Sequence, residues 1–194
     1  MPYPNASADI LARAARVRMA CFDVDGTLTD GRLIYDADGR ELKAFHSLDG
    51  LGLKLLESAG VTVVLITARR SVVTELRARE LGVAAYTHEH DKLARTRALA
   101  DGLGIGLDEV AFMGDDLADL SALLACRLAV APANAHPWTA QRVHWKTATR
   151  GGMGAARELC DLILDAQGHA QRLLDEAQAG AGLLDAALKH GAQA

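Results

Sequence analysis

The sequence predicts an α/β fold: a parallel sheet with helices packed on both faces. Three observations carry this expectation. Apolar runs of strand length recur at residues 17–22, 61–66, 83–86, 110–113 and 128–130. Segments of helical length lie between them, two of them closed by a glycine. The run VTVVLI at 61–66 is β-branched and almost wholly apolar, as a strand buried on both faces must be. Strands alternating with helices give a parallel sheet, because each crossover needs a helix to return the chain.

Each element follows in order. Residues 7–16 read as a short helix with Ser7 as its N-cap. Residues 17–22 form a strand broken only by Arg18. Residues 28–45 read as a β-hairpin, because LIYDADGRELKAF carries an Asp38-Gly39 turn between two strand-like halves. Residues 48–59 are helical and end at Gly60; 61–66 is the central strand; 71–81 is a helix ended by Gly82. A short strand at 83–86, a helix at 92–103, a strand at 110–113, a helix at 117–125 and a strand at 128–130 continue the alternation. Residues 155–166 form the last core helix. The whole is a Rossmann-like domain over 1–168 with a hairpin flap at about 28–45 and no separate cap domain. Residues 169–194, rich in Ala, Leu and Gln, read as a surface helix, a partner-binding arm or a partly disordered tail.

Composition narrows the class. The chain has 194 residues, half of them apolar, which supplies a full core without disulfides or structural metal. Cys21, Cys126 and Cys160 are odd in number and form no C-x-x-C pair, so they read as buried, reduced thiols. A net charge of −4 argues against nucleic-acid binding. The opening MPYPNASADILARAARV mixes acid and base and has no long apolar stretch, so it reads as neither a signal peptide nor a membrane span. A soluble cytoplasmic protein without nucleic-acid or membrane partners is expected.

The chemistry is concentrated where strands end. CFDVDGTLTD drives an apolar strand into Asp23 and Asp25, which repel each other unless a cation offsets their charge. In open α/β sheets, ligands bind beyond the carboxyl ends of the strands. Thr67-Ala68-Arg69 ends a second strand, Gly114-Asp115-Asp116 with Asp119 ends a third, and Lys92 opens the helix between them. A few carboxylates, a hydroxyl and a lysine at one edge describe a metal-dependent phosphate site, and hard oxygen ligands suit Mg²⁺. One aspartate can attack phosphorus while the other serves as general acid and base. Backbone N–H groups, the hydroxyl and the ammonium would neutralise the phosphoryl oxygens.

Other features read as bland. His88-Glu89-His90 reads as a solvated loop, and Gly151-Gly152-Met153-Gly154 as a turn before a helix. Arg69 and Arg77 have the spacing of one helical face, which alone is usually solvated charge. An EF-hand is excluded, because Leu28 and Thr29 interrupt the ligand pattern.

The four stations, in order, resemble the haloacid-dehalogenase superfamily of phosphatases. Asp23-Val24-Asp25-Gly26-Thr27 is similar to its first motif, Thr67 to the second, Lys92 to the third, and Gly114-Asp115-Asp116 with Asp119 to the fourth. The resemblance implies Asp23 as nucleophile and Asp25 as acid/base. It implies Mg²⁺ held by the Asp23 carboxylate, the Asp25 backbone carbonyl and Asp115, phosphate held by Thr67 and Lys92, and Asp116 and Asp119 in the outer shell. Neither 28–66 nor 68–91 has room for a cap domain, so the chain resembles the capless branch. Such a phosphatase takes large substrates or borrows a lid from a neighbouring subunit, and the hairpin is the candidate flap.

Within that branch, DVDGTLTDG, ELKAFHSLDGLGLK, ITARRS, DKL, AFMGDDLADL, ANAHP and GGMGAARELCDLIL resemble the 3-deoxy-D-manno-octulosonate 8-phosphate phosphatases over residues 17–168. This implies a homotetramer with shared active sites, acting on the phosphate of an eight-carbon sugar acid during lipopolysaccharide precursor synthesis. It also implies sugar contacts from His46, Asp49, Gly50, Lys54, Arg69 and Arg77. Arginine pairs bidentately with carboxylate, as a sugar acid requires. Ala68 stands where that family usually has glycine, and Ser47-Leu48 lacks a basic residue many relatives carry. Two other readings stay open: a phosphatase for a nine-carbon sialic-acid-type 9-phosphate, and a non-catalytic partner of a cytidylyltransferase. Intact Asp23, Asp25, Lys92 and Asp115 speak against the second.

Overall fold

A computed structural model describes residues 6–180. It opens with helix α1 (Ala8–Ala14), capped by the Ser7 hydroxyl, which accepts from the Ile10 N–H. Strand β1 (Met19–Phe22) follows, then a two-stranded antiparallel hairpin of β2 (Ile34–Tyr35) and β3 (Glu41–Leu42). Helix α2 (Ser47–Ser58), strand β4 (Thr62–Ile66), helix α3 (Val72–Leu81), strand β5 (Ala84–Tyr86) and helix α4 (Lys92–Gly102) come next. Strand β6 (Val110–Met113), helix α5 (Leu120–Ala125), strand β7 (Leu128–Ala131), helix α6 (Pro137–Ala140) and strand β8 (Trp145–Lys146) complete the sheet. Helices α7 (Ala155–Ala166) and α8 (Ala170–Gln178) close the described chain.

The six-stranded sheet has the order β5-β4-β1-β6-β7-β8, and every pairing in it is parallel. Strand β1 is flanked by β4 and β6, so the chain reverses its winding direction beside β1 and leaves a crevice at its carboxyl end. Alternation along β1 divides the core. Ala20 and Phe22 join Leu53, Leu56, Leu159 and Ile163 on one face, while Met19 and Cys21 join Phe112, Ala100 and Leu123 on the other. Each such fully buried Leu or Phe contributes on the order of 1.5–3 kcal/mol. On the first face α2 crosses α7 closely because Gly52 offers no side chain: a β-carbon there would meet Cys160 and Arg157.

The structure refines several elements. The paired part of the hairpin is shorter than 28–45, because the chain after Gly26 first coils back on Val24. The helix expected over 117–125 begins as a 3₁₀ turn (Leu117–Asp119), since a capping box between Asp116 and Asp119 tightens its first turn. Arg69 precedes α3, so it does not share a helical face with Arg77. Helix α6 and edge strand β8 were not expected; both are too short to show a period. Residues 170–178 of the tail form α8, and 181–194 lie outside the described residues.

Candidate active site

The Asp23 N–H donates to Met113 O at 2.9 Å, which extends the β1–β6 ladder one residue past the strand. This fixes the Asp23 carboxyl at the sheet edge, where it is 5 % exposed. The chain then coils tightly: the N–H groups of Thr27, Leu28 and Thr29 converge on Val24 O at 3.3, 2.9 and 3.0 Å. Gly26 permits the coil with φ +98°, and its bare Cα lies against the Asp115 carboxylate. The turn before α7 braces this loop. Gly152 N–H donates to Thr27 O at 3.0 Å and Gly151 N–H to Asn134 Oδ1 at 2.7 Å. A side chain at either glycine would strike the backbone of Gly26 or Thr29. The glycine run is therefore a buttress for the Asp23–Thr27 loop.

Lys92 is the first residue of α4, whose N-cap Asp91 accepts from the Ala94 N–H at 2.9 Å. Its ammonium is buried, donating to Asp23 Oδ1 at 2.5 Å and to Asp119 Oδ1. The other Asp119 oxygen accepts from the Asp115 and Asp116 N–H groups at 3.0 and 3.2 Å. Asp119 thus both orients Lys92 and holds the turn that presents Asp115. Asp116 faces solvent and accepts from the Leu117 N–H at 2.7 Å.

Carboxylate oxygens of Asp23, Asp115 and Asp119 lie within 4.8 Å of one another. The Thr27 hydroxyl donates to Asp115 Oδ1 at 3.4 Å. Burial, then the Asp119 charge, pushes the Asp23 pKa well above the ordinary carboxylate range, against the opposing pull of Lys92. Burial and the charges of Asp119 and Asp116 push Asp115 up to about 6. Burial alone would lower the Lys92 pKa, but Asp23 and Asp119 outweigh it and raise it. Three carboxylates face one ammonium, and the excess negative charge of this all-oxygen cluster matches a small divalent cation. The residues fit Mg²⁺.

Asp25 points to the other side of the loop, toward the hairpin. Its Oδ1 accepts from Lys43, its Oδ2 is buried without a hydrogen-bond partner, and Arg69 Nε stands 3.8 Å away. Arg69 Nη2 donates to the Tyr35 hydroxyl at 2.9 Å and to Glu41 Oε1 at 3.2 Å. Glu41 Oε1 also pairs with Lys43 at 3.2 Å, and its Oε2 accepts from Ser71 Oγ at 2.6 Å. Burial alone would raise the Glu41 pKa, but the bonds from Ser71, Lys43 and Arg69 hold it below the usual range. Sequence reasoning missed Tyr35, Glu41 and Lys43. The signal was there: strand alternation in Glu41-Leu42-Lys43 sets the two charges on one face and the apolar side chain on the other.

Thr67 is buried, its N–H donating to Tyr86 O at 3.0 Å and its Oγ1 accepting from the Arg69 N–H at 3.2 Å. The loop after β5 supports it: Glu89 N–H donates to Thr67 O and His88 N–H to Arg69 O. His88 adopts φ 59°, and Ala68 keeps ordinary backbone. A glycine at position 68 is thus not required for a left-handed turn.

The remaining sugar-contact candidates lie elsewhere. His46, Asp49, Gly50 and Arg77 line one small crevice with Leu28, Phe45, Leu53 and Leu81. His46 caps α2, accepting from the Leu48 N–H at 3.3 Å. The Asp49 carboxylate is buried and accepts from the N–H groups of Gly154 and Arg157, at 3.3 and 2.9 Å, at the start of α7. Arg77 stacks over Phe45 at 5.7 Å and pairs with Glu80, near which Lys54 also lies. Of the six candidates, Arg69 alone is paired with an aspartate of the Asp23–Thr27 loop.

An aspartate-tipped central strand, a buried lysine and a second acidic turn define a haloacid dehalogenase-like hydrolase of the phosphoric-monoester class. The sequence profile of the haloacid dehalogenase-like hydrolases matches residues 84–159. The chain is 40% identical over 166 residues to the 3-deoxy-D-manno-octulosonate 8-phosphate phosphatase of Yersinia pestis, covering 85% of this chain and 89% of that protein. A crystal structure of a hypothetical protein from Xanthomonas campestris superposes with a TM-score of 0.88 at 56% identity, covering 91% of this chain and 98% of the other. The Moraxella catarrhalis 3-deoxy-D-manno-octulosonate 8-phosphate phosphatase, in complex with magnesium, phosphate and KDO, superposes with a TM-score of 0.84 at 38% identity, covering 86% and 97%. The chain belongs to the family of 3-deoxy-D-manno-octulosonate 8-phosphate phosphatases. No helix among the described residues is long and apolar enough to cross a membrane.

Proposed function

We propose that this enzyme hydrolyses 3-deoxy-D-manno-octulosonate 8-phosphate to the free sugar acid and phosphate, with Mg²⁺, through an aspartyl-phosphate on Asp23. The observation that carries the mechanism is the buried Asp23 carboxylate, hydrogen-bonded to Lys92 and flanked by Asp115 and Asp119. The substrate rests on the relatives' activity and on the sugar acid and phosphate bound by the Moraxella enzyme.

Asp23, Asp115 and the Asp25 carbonyl would hold the metal, which, when bound, offsets the charge of the phosphoryl oxygens and of the aspartates. The Asp23 carboxylate attacks phosphorus while Thr67 and Lys92 hold the phosphoryl oxygens. Asp25 gives a proton to the departing sugar oxygen, then takes one from the water that cleaves the aspartyl-phosphate. Asp119 orients Lys92, and Asp116 caps the turn that carries Asp115. Arg69 meets the sugar acid beside Asp25. The crevice of His46, Asp49, Gly50 and Arg77, with Lys54 nearby, completes sugar recognition between subunits of a homotetramer. The exposed apolar side chains Leu33, Ile34 and Leu42 on the hairpin support such an assembly. The setting is the cytoplasm, in lipopolysaccharide precursor synthesis.

Phosphate release is the test, with and without Mg²⁺. The substrates are the eight-carbon sugar acid phosphate, a nine-carbon sialic-acid-type 9-phosphate and an aryl phosphate. Strong preference for the first is expected. Preference for the nine-carbon acid would reassign the substrate, and release from the aryl phosphate alone would leave only the Asp23 chemistry.

A further inference from the structure

We propose that Lys43, from the hairpin, is a positioning residue for the acid/base carboxyl of Asp25. The idea deepens the phosphatase reading above and rests on it. Lys43 follows strand β3 and reaches the Asp23–Thr27 loop, where its ammonium pairs with Asp25 Oδ1 and, at 3.2 Å, with Glu41 Oε1. The Lys43 side chain is 2 % exposed, so the exposure of that residue lies in its backbone. Both of its partners are carboxylates, one on the Asp23–Thr27 loop and one on its own hairpin, so its charge is committed to placing Asp25. Its effect is on Asp25: one oxygen is anchored, and the other is buried without a hydrogen-bond partner. A group that must give and take a proton at one fixed place needs this division. Arg69 Nε, 3.8 Å from Oδ2, is too distant to hydrogen-bond it, so this oxygen has no competing donor.

Glu41 sets where Lys43 stands. It ties the hairpin to Arg69 and to Ser71, the N-cap of α3. Held to Arg69 and Ser71 through Glu41, the hairpin thereby fixes the Asp25 rotamer. In the first half-reaction the bond from Asp23 to phosphorus forms, the bond from phosphorus to the sugar oxygen breaks, and Asp25 protonates that oxygen. In the second, water bonds to phosphorus, the aspartyl oxygen leaves, and the water proton passes to Asp25. An aryl phosphate with an acidic phenol needs no proton in the first step but still needs Asp25 in the second.

That difference provides the test. Lys43→Met, Lys43→Gln and Lys43→Arg would be compared with wild type and Asp25→Asn in the full-length Mg²⁺-loaded enzyme. The substrates are the sugar acid phosphate and 2,4-dinitrophenyl phosphate. For Lys43→Met and Lys43→Gln, kcat on the sugar phosphate is expected to fall about a hundredfold with KM little changed. On the aryl ester both should release a burst of one phenolate per site, then turn over slowly, as Asp25→Asn should. Lys43→Arg should recover most of kcat. Equal losses on both substrates without a burst, or a raised KM with kcat kept, would overturn the proposal and leave Lys43 as a strut of the flap. Unaltered kinetics in Lys43→Gln would overturn it as well. If Asp25→Asn itself shows neither burst nor leaving-group dependence, the acid/base reading fails and the Lys43 role falls with it. If only the Lys43 variants behave like wild type, the acid/base reading stands alone.

Discussion

Gly26 and Asp115 face each other with no room for a methyl group between them. A β-carbon on Gly26 would overlap the Asp115 carboxylate, and φ +98° is strained for any other residue. Gly26→Ala should therefore displace Asp115, destabilise the fold by about 1–3 kcal/mol and weaken Mg²⁺ binding. Urea denaturation and Mg²⁺ titration followed by calorimetry measure the two effects. Wild-type metal affinity in Gly26→Ala would show that Asp115 is not a ligand.

Removing the proposed nucleophile should separate stability from activity. Asp23→Asn should abolish turnover, since an amide cannot attack phosphorus. Because burial and neighbouring carboxylates already disfavour the charge on Asp23, the metal-free variant should melt above metal-free wild type near neutral pH. Turnover assays and thermal melts in EDTA check both halves, and a lower melting temperature would mean that the Lys92 contact outweighs the repulsion.

Lys92 is the counter-charge to this cluster. Lys92→Met leaves buried carboxylates unpaired and should cost about 3–5 kcal/mol without metal, with part of the loss regained in Mg²⁺. Loss of the proposed contact to the phosphoryl group should also lower kcat at least about a hundredfold. Denaturation curves with and without Mg²⁺, beside steady-state kinetics, read these out.

The metal-free chain should lose stability as pH rises through the slightly acid range. Asp115 is pushed up to about 6 on folding, from an ordinary 3.8, and Asp23 also moves up. A carboxyl with a raised folded pKa holds its proton more tightly when folded, so its contribution is favourable at low pH and is lost as pH passes about 6. Melting temperatures in EDTA should fall as pH rises from 3.8 to about 6, and Mg²⁺, which favours the ionised carboxylates, should flatten or reverse the trend. A flat profile in EDTA would contradict the crowding of these carboxylates.

Asp49 offers a contrast between binding and scaffolding. Its carboxylate receives the Gly154 and Arg157 N–H groups at the start of α7. Asp49→Ala should cost about 1–2 kcal/mol of stability, the value of a lost helix cap, as read by urea denaturation. A raised KM with unchanged stability would instead mark Asp49 as a direct sugar contact.

Much of this was legible in the sequence. Strand ends reported the site because the sheet buries everything before them: Phe22, Ile66 and Met113 are fully buried, and the next polar residues necessarily face the crevice. The extents of 61–66 and 110–113 were clear for the same reason. Contacts between distant segments were not legible. Nothing local marks Gly151 and Gly152 as partners of Gly26, because their role lies in an approach of backbones and not in a side chain. The bond between Asp119 and Lys92 was not legible either, because it takes a 3₁₀ turn to bring these two distant residues together. Pro137–Ala140 and Trp145–Lys146 are too short for periodicity to reveal.

The brace from Gly152 to Thr27 bears on the life of the nascent chain. During synthesis the first strand and its aspartates leave the ribosome long before the segment that steadies their loop. An unfinished or truncated polypeptide thus carries Asp23 and Asp25 without the backbone bond that shapes the ground between them. The loop that carries both aspartates therefore reaches its final shape only after residues 151 and 152 have been made and have folded onto it.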